Sequence, residues 1–187
     1  MSLKIRFNSD AILKEFDEFL AGKKKTFKAV MTGSGAMNML GLLDRPTVDL
    51  DILNPKIPRE ILELAEEFRQ KMVAQGKPLE PNWFNDATSA FLEHFPKDWA
   101  KRTQPLFKGK ALDLSTLGRS DLLKDKLWGY CDARSHDKTA LLNLKPTKEE
   151  LLQASDWVKK ARPKEPLWPG LVEDKVEELL KVLGYGN

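Results

Sequence analysis

Two segments decide how this chain folds: Thr32-Gly33-Ser34-Gly35-Ala36, and Arg45-Pro46-Thr47-Val48-Asp49-Leu50-Asp51 shortly after it. The first follows a short apolar run, Phe27–Met31, which reads as a strand. The second reads as a strand over Thr47–Leu53. In such a strand Val48, Leu50 and Ile52 face one side, and Asp49 and Asp51 face the other. Both carboxylates then lie on one face, about 7 Å apart along the chain. Two anions pointing the same way repel, and burying them against a sheet is costly unless a cation neutralises them. A divalent ion such as Mg²⁺, which takes a few carboxylates plus substrate phosphates, resolves the conflict. Glycines at 33 and 35 let a backbone approach a phosphate closely, ahead of a helix expected over Ala36–Leu43.

Outward from this pair the pattern alternates between helix and strand. Ile12, Leu13, Phe16, Phe19 and Leu20 form a helical stripe over 10–22, with Asp10 as the expected N-cap. A helix begins at Pro58 and runs to about Gln75, its inner stripe being Ile61, Leu64, Ala65, Phe68 and Met72. Residues 77–109 mix aromatics and prolines and give no clear periodicity. Ala111–Leu117 reads as a strand, with Leu112 and Leu114 opposite Asp113. Helices follow over Ser120–Ala133, with Ser120 as its cap, and over Asp137–Leu144. Thr147-Lys148-Glu149-Glu150 is a capping box that opens another helix, to about Ala161. Pro163, Pro166 and Pro169 read as a stiff linker before a last helix over 170–183. The expected fold is α/β (α+β): a small mixed sheet with packed helices in 1–118, and a helical C-terminal region in 119–187 packed on it.

Composition narrows the class. The chain has 187 residues, 41% of them hydrophobic and 32% charged, which reads as globular rather than disordered. Its net charge of +3, from 31 basic and 28 acidic residues, is too small to argue for nucleic acid by itself. The single cysteine, Cys131, excludes an internal disulfide and reads as a reduced, buried residue. The N-terminal residues lack an apolar run of signal-peptide length, and no stretch reaches the roughly 18 apolar residues of a membrane span, so the cytoplasm is expected. His94 and His136 show no zinc-type spacing. Ser34 lacks a hydrolase elbow, because Thr32 and Ala36 stand where glycines are needed. A dinucleotide fingerprint fails at Asn38. The aromatics Trp83, Phe84, Phe91, Phe95 and Trp99 read as core, base stacking being the alternative.

Gly33-Ser34, a short helix and Asp49-x-Asp51 together resemble the signature of the DNA polymerase β-type nucleotidyltransferases. More narrowly, Gly-Ser-Gly-Ala, Leu-Gly and Arg-x-Thr-x-Asp-Leu-Asp-Ile resemble bacterial proteins related to the AbiEii toxins of type IV toxin–antitoxin systems. Trp83-Phe84-Asn85-Asp86 resembles a further motif of those proteins, and Leu122-Leu123-Lys124-Asp125-Lys126-Leu127 with Arg134 and Asp137 resembles their later helix. The resemblance covers roughly residues 28–145. It implies transfer of a nucleoside monophosphate from a nucleoside triphosphate to a hydroxyl, with Mg²⁺ or Mn²⁺ as cofactor. Asp49 and Asp51 are the implied first metal ligands. Asp113 is the candidate third, expected within about 6 Å of Asp51, with Asp86 as its alternative. Gly33, Ser34 and Lys126 are the implied nucleotide-binding residues, Lys126 standing near the edge of its helix's inner face. The implied acceptor is an RNA, a protein or a small molecule, and a cognate protein partner is implied as well. The sequence departs from the family pattern after Asp137, where Thr139 or Ala140 replaces a further Asp. Two other readings stay open: a nucleotidyltransferase fold that binds nucleotide or protein without catalysis, and an interaction protein using the last helix.

Overall fold

Phe27, Ala29 and Met31 are buried while Lys28 is exposed, so Phe27–Thr32 forms β1 with one face in the core. The computed structural model describes residues 5–44 and 46–186, without the side chains of residues 135 and 136. The other strands are β2 (Leu50–Asn54), β3 (Phe84–Asn85), β4 (Gln104–Lys108) and β5 (Leu112–Thr116). They form one mixed sheet in the order β3-β2-β1-β5-β4. β1 lies at its centre, antiparallel to β2 and parallel to β5. The register sets Thr32 opposite Asp51 on one side of β1 and Lys28 opposite Asp113 on the other. Val30 faces Asn54 while Met31 faces Ile52, so Leu53 is an extra residue in β2. That bulge restores the alternation that keeps Asp51 on the face of Thr32.

Helices α1 (Ser9–Gly22), α2 (Gly33–Met39) and α3 (Arg59–Ala74) complete this unit, which spans Met1–Leu117. The cap of α1 is Asn8, whose side chain accepts the Ala11 N–H at 3.0 Å. Asp10, the expected cap, sits in the first turn and pairs with Lys14. Either residue type can cap; Asn8 holds the extended backbone a cap needs, so the helix starts earlier. Pro58 likewise stands just before α3 rather than inside its first turn. Phe16 meets Phe68, Trp83 and Phe84 at ring-centroid distances of 5.1–5.3 Å. The Trp83 indole N–H donates to the Ala65 carbonyl at 3.2 Å. The aromatics Trp83, Phe84 and Phe95 are therefore core, whereas Phe91 is exposed and Trp99 half-buried. The unassigned stretch resolves into β3, 3₁₀ turns over Ala87–His94 and Trp99–Arg102, and β4. Its strands are short and its turns lack helical periodicity, which is why its pattern is silent.

Asp17 on α1 fixes the turn between β4 and β5. Its carboxylate accepts the backbone N–H groups of Lys110, Ala111 and Leu112 at 2.7–2.9 Å. Gly109 leaves the room: a Cβ there would lie 2.2 Å from Asp17 Oδ1. Burial opposes the ionised form of Asp17, but the three N–H groups and Lys110 outweigh it and hold the carboxyl below its ordinary value. A lowered pKa contributes stability above the unfolded value, and that stability is lost as pH falls through the folded value. Asp17→Asn keeps one acceptor and loses the charge. It should cost about 1–2 kcal/mol at pH 7 and remove part of the stability loss seen below about pH 4. Urea unfolding of both proteins between neutral and acid pH checks this; parallel pH profiles would contradict it.

The second unit, Gly118–Asn187, is helical. It holds α4 (Arg119–Cys131), α5 (Ser135–Leu144), α6 (Lys148–Lys160) and α7 (Trp168–Val182). Gly118, not Ser120, stands at the N-cap of α4. The capping box forms as expected, with Thr147 Oγ1 accepting Glu150 N–H and Glu150 accepting Thr147 N–H. Helix α7 is not detached: Val172, Val176 and Leu179 are buried, and α7 packs against α6 and α4. The Trp168 indole donates to the Val158 carbonyl at 2.7 Å, and Pro169 lies in the first turn of α7. The prolines thus mark a tight connection, which removes the sequence hint for a free docking helix. Cys131 is a buried free thiol, its pKa pushed up to about 12 chiefly by burial. Among the described residues no helix is long and apolar enough to cross a membrane.

Candidate functional site

The site starts where β1 ends. Thr32 is the last strand residue, and α2 begins at once with Gly33. The helix therefore starts three residues before the expected Ala36, and Gly33-Ser34-Gly35 is its first turn. Gly33 has φ +73°, a left-handed conformation that favours glycine. A Cβ on Gly33 would lie 2.2 Å from Asp51 Oδ2, so glycine is required twice over. A Cβ on Gly35 would lie 2.7 Å from Leu50 Cδ2, which shows how closely α2 is pressed on β2.

Asp49 does not belong to the strand. β2 begins at Leu50, and Thr47 makes an isolated bridge with Phe7. Thr47 Oγ1 donates to the Asp49 carbonyl at 2.9 Å, a local bond that bends the chain out of ladder geometry. Asp49 is half-buried at the mouth of β2, and Asp51 is half-buried one step inside it. Arg45 of the sequence motif lies outside the described residues.

Asn85 joins Asp51 from the neighbouring strand. The β2–β3 register sets the two residues opposite each other, and Asn85 Nδ2 donates to Asp51 Oδ1 at 3.2 Å. Asn85 is itself held, since its Oδ1 accepts Ala87 N–H and its Nδ2 also donates to the Asn82 carbonyl. One Asp51 oxygen thus accepts from an amide, and the other occupies the space that a side chain at position 33 would need. Asn85, and not the neighbouring Asp86 expected from the sequence as an alternative ligand, meets Asp51. Asp86 instead accepts the Ile57 N–H at 2.9 Å. Extending the alternation from buried Phe84 to Asn85 was the signal available.

The structure does not bring Asp113 to this pair. Asp113 lies on the face of Thr32 by alternation, but level with Lys28. That is four residues, about 13 Å, down β1 from the position opposite Asp51. The parallel register sets Thr116 beside Met31, so β5 ends before it could offer a carboxylate at the level of Asp51. Asp113 pairs with Lys108 at 2.7 Å and Lys28 at 3.5 Å. Lys108 above all, then Lys28, holds its carboxyl below the ordinary value. Among the described residues no group of three or more His, Cys, Asp or Glu side chains is placed to hold a metal ion. His94 stands beside Glu93, and the His136 side chain lies outside the described residues.

Lys126 belongs to the helical unit and is buried, not at the edge of its helix. Its Nζ lies 2.8 Å from Asp125 Oδ2 and 3.5 Å from Asp137 Oδ1. Arg134 approaches the other Asp137 oxygen at 3.3 Å. A Cβ on Gly129 would fall 2.0 Å from Asp137 Oδ2 and 2.4 Å from Arg134 Nη2, so glycine makes room for this cluster. Burial presses the Lys126 pKa down, but Asp125 and Asp137 outweigh it and the ammonium is favoured overall. Arg134 and Asp137 thus form the ion pair at the junction of α4 and α5.

The half-buried Asp51 carboxylate beside the glycine turn, with half-buried Asp49 two residues before it, offers oxygen ligands of the kind a divalent ion takes, since Mg²⁺ needs few protein ligands when a triphosphate supplies the rest. Among the described residues no cluster of His, Cys, Asp or Glu forms a metal site of the zinc type. No curated protein and no solved structure matches the chain. One family does: its profile, described as nucleotidyltransferase of unknown function (DUF6036), matches residues 10–152, a span that holds the whole sheet, Asp49, Asp51, Asn85 and the Lys126 cluster. The chain belongs to this nucleotidyltransferase family.

Proposed function

We propose that the protein transfers a nucleoside monophosphate from a nucleoside triphosphate to a hydroxyl-bearing acceptor, with Mg²⁺ or Mn²⁺ as cofactor. The supporting observation is the seat of Asp51, with one oxygen against left-handed Gly33 and the other on Asn85. Asp49 and Asp51 hold the metal, and Gly33 and Ser34 line the phosphates. The acceptor oxygen attacks the α-phosphorus, the α–β anhydride bond breaks, and pyrophosphate leaves with the bonding pair. The hydroxyl proton passes to solvent. Bound divalent ions would lower the pKa of the attacking hydroxyl and neutralise charge on the leaving pyrophosphate. The chain's own part is to fix the carboxylates before substrate arrives. Asn85 and the Gly33 backbone remove the rotational freedom of Asp51, which is positioning of the kind such transfers depend on.

The resemblance to AbiEii-related proteins supports a finer reading: a bacterial toxin–antitoxin component, active in the cytoplasm with a cognate protein partner. A second reading, a nucleotide-binding module without catalysis, is favoured by one observation. Among the described residues no third carboxylate joins Asp49 and Asp51, and Asp113 stands level with Lys28.

Metal binding is the first test. A ligand that binds the folded state alone adds RT ln(1 + [L]/Kd), about 2.7 kcal/mol at a hundredfold excess over Kd. Mg²⁺ with a nucleoside triphosphate should raise the melting temperature by several degrees. Asp49→Asn combined with Asp51→Asn should abolish the rise without lowering metal-free stability. An equal rise in the double variant would remove the carboxylates from the site.

A further inference from the structure

Thr32 carries a hydroxyl that the fold does not use. It is the N-cap residue of α2, and a threonine there usually accepts an N–H of the helix's first turn. Thr32 makes no such bond. Its side chain is buried, with 4% of the residue exposed, and Oγ1 has no hydrogen-bond partner. Buried hydroxyls are normally bonded, so an orphan points to a missing ligand or to a packing role that valine could fill. Ser9 Oγ and Thr116 Oγ1 share this state. Ser9 opens α1, and Thr116 is level with Met31 on the core side of the sheet. Thr32 differs from both in position: it is opposite Asp51 in the register and precedes the glycine that touches the Asp51 carboxylate.

We propose that Thr32 is a ligand of the divalent ion held by Asp51, its hydroxyl oxygen taking the place that a third carboxylate would fill. The inference rests on the metal-dependent reading above. Mg²⁺ and Mn²⁺ accept neutral oxygen ligands as well as carboxylates. The charge balance suits a neutral group. Asp49 and Asp51 supply two negative charges, enough for one divalent ion, and a second ion arrives with the charge of the triphosphate. A hydroxyl adds a ligand without adding repulsion between anions. The protein should therefore bind one Mn²⁺ in the absence of nucleotide.

Mn²⁺ titration of the full chain, followed by the loss of free-ion electron paramagnetic resonance signal, tests this. Thr32→Val, which keeps shape and removes the oxygen, should weaken Mn²⁺ binding about tenfold. Thr32→Ser should stay within about threefold of wild type. Thr32→Ala read against Thr32→Ser replaces the valine comparison if Thr32→Val does not fold. Wild-type affinity in Thr32→Val or Thr32→Ala, while Asp51→Asn binds poorly, overturns the role of Thr32 alone. Equal weakening in Thr32→Ser and Thr32→Val overturns it too, because packing then explains the effect. No Mn²⁺ binding by wild type, or undiminished binding by Asp51→Asn, overturns the metal-dependent reading and this inference with it.

Discussion

Asp137→Ala should destabilise the helical unit by about 3 kcal/mol, a loss typical of breaking a buried ion pair from one side. Lys126 and Asp137 are both buried, with side-chain exposures of 5% and 2%. Removing the carboxylate leaves the Lys126 ammonium in a desolvated place and takes from Arg134 its partner at 3.3 Å. Asp125 still faces Lys126 at 2.8 Å, which keeps the loss near the lower end of the usual range. The space vacated beside Gly129 is small and lined by polar groups, so collapse onto it recovers little. Hydrogen exchange of peptides from α4 and α5 reads the effect locally, as opening free energies. Replacing the pair with apolar residues, Lys126→Met with Asp137→Leu, should recover most of the loss, because no charge is then left buried. Exchange in Asp137→Ala within a few-fold of wild type would show that the pair contributes little.

Much of the fold was legible because apolar spacing carries it. The stripe of α1 and the alternation of β5 follow from side-chain burial at fixed periods, β1 from a short apolar run, and the start of α6 from the paired hydrogen bonds of its capping box. Boundaries were less legible where two residues could do the same work. Asn8 and Asp10 can each cap α1, and nothing local decides between them. The start of α2 was misplaced because glycines at 33 and 35 look like a loop. Gly33 is glycine for its φ and for the Asp51 carboxylate beside it, a contact that sequence spacing cannot show.

At the candidate site the Asp49-x-Asp51 spacing stands out in the sequence, but the strand expected to carry both begins only at Leu50, and the neighbours of Asp51 leave no local pattern. Asp113 has the alternation expected of a third ligand, and alternation fixes the face of a residue but not its height along the sheet. Height depends on the register between β1 and β5, two strands separated by some eighty residues of chain, and that register sets Asp113 beside Lys28. Asn85 was hidden for the converse reason: an amide next to an aspartate draws less notice, yet β3 presents the amide to Asp51. Lys126 was read from its helix alone. It is buried and pairs with Asp137 on the next helix, a tertiary fact without a local pattern.

The proposed reaction requires that the site built on Asp49 and Asp51 support transfer of a nucleotide and not its binding alone. A transferase site must stabilise charge on the leaving pyrophosphate, and oriented carboxylates that hold divalent ions are its means of doing so. Replacing both by asparagine keeps shape and one acceptor oxygen on each side chain but removes two negative charges. A loss of at least about a thousandfold in rate is expected, the scale of removing a principal electrostatic element from an active site. The deciding measurement incubates wild type and the Asp49→Asn, Asp51→Asn protein with Mg²⁺, each α-labelled nucleoside triphosphate, and total RNA or cell extract. The wild type should attach label to an acceptor and release pyrophosphate, losing both on chelation of Mg²⁺, and the double variant should show neither. Tight nucleotide binding with no label transferred by the wild type, or undiminished transfer by the double variant, would contradict the account.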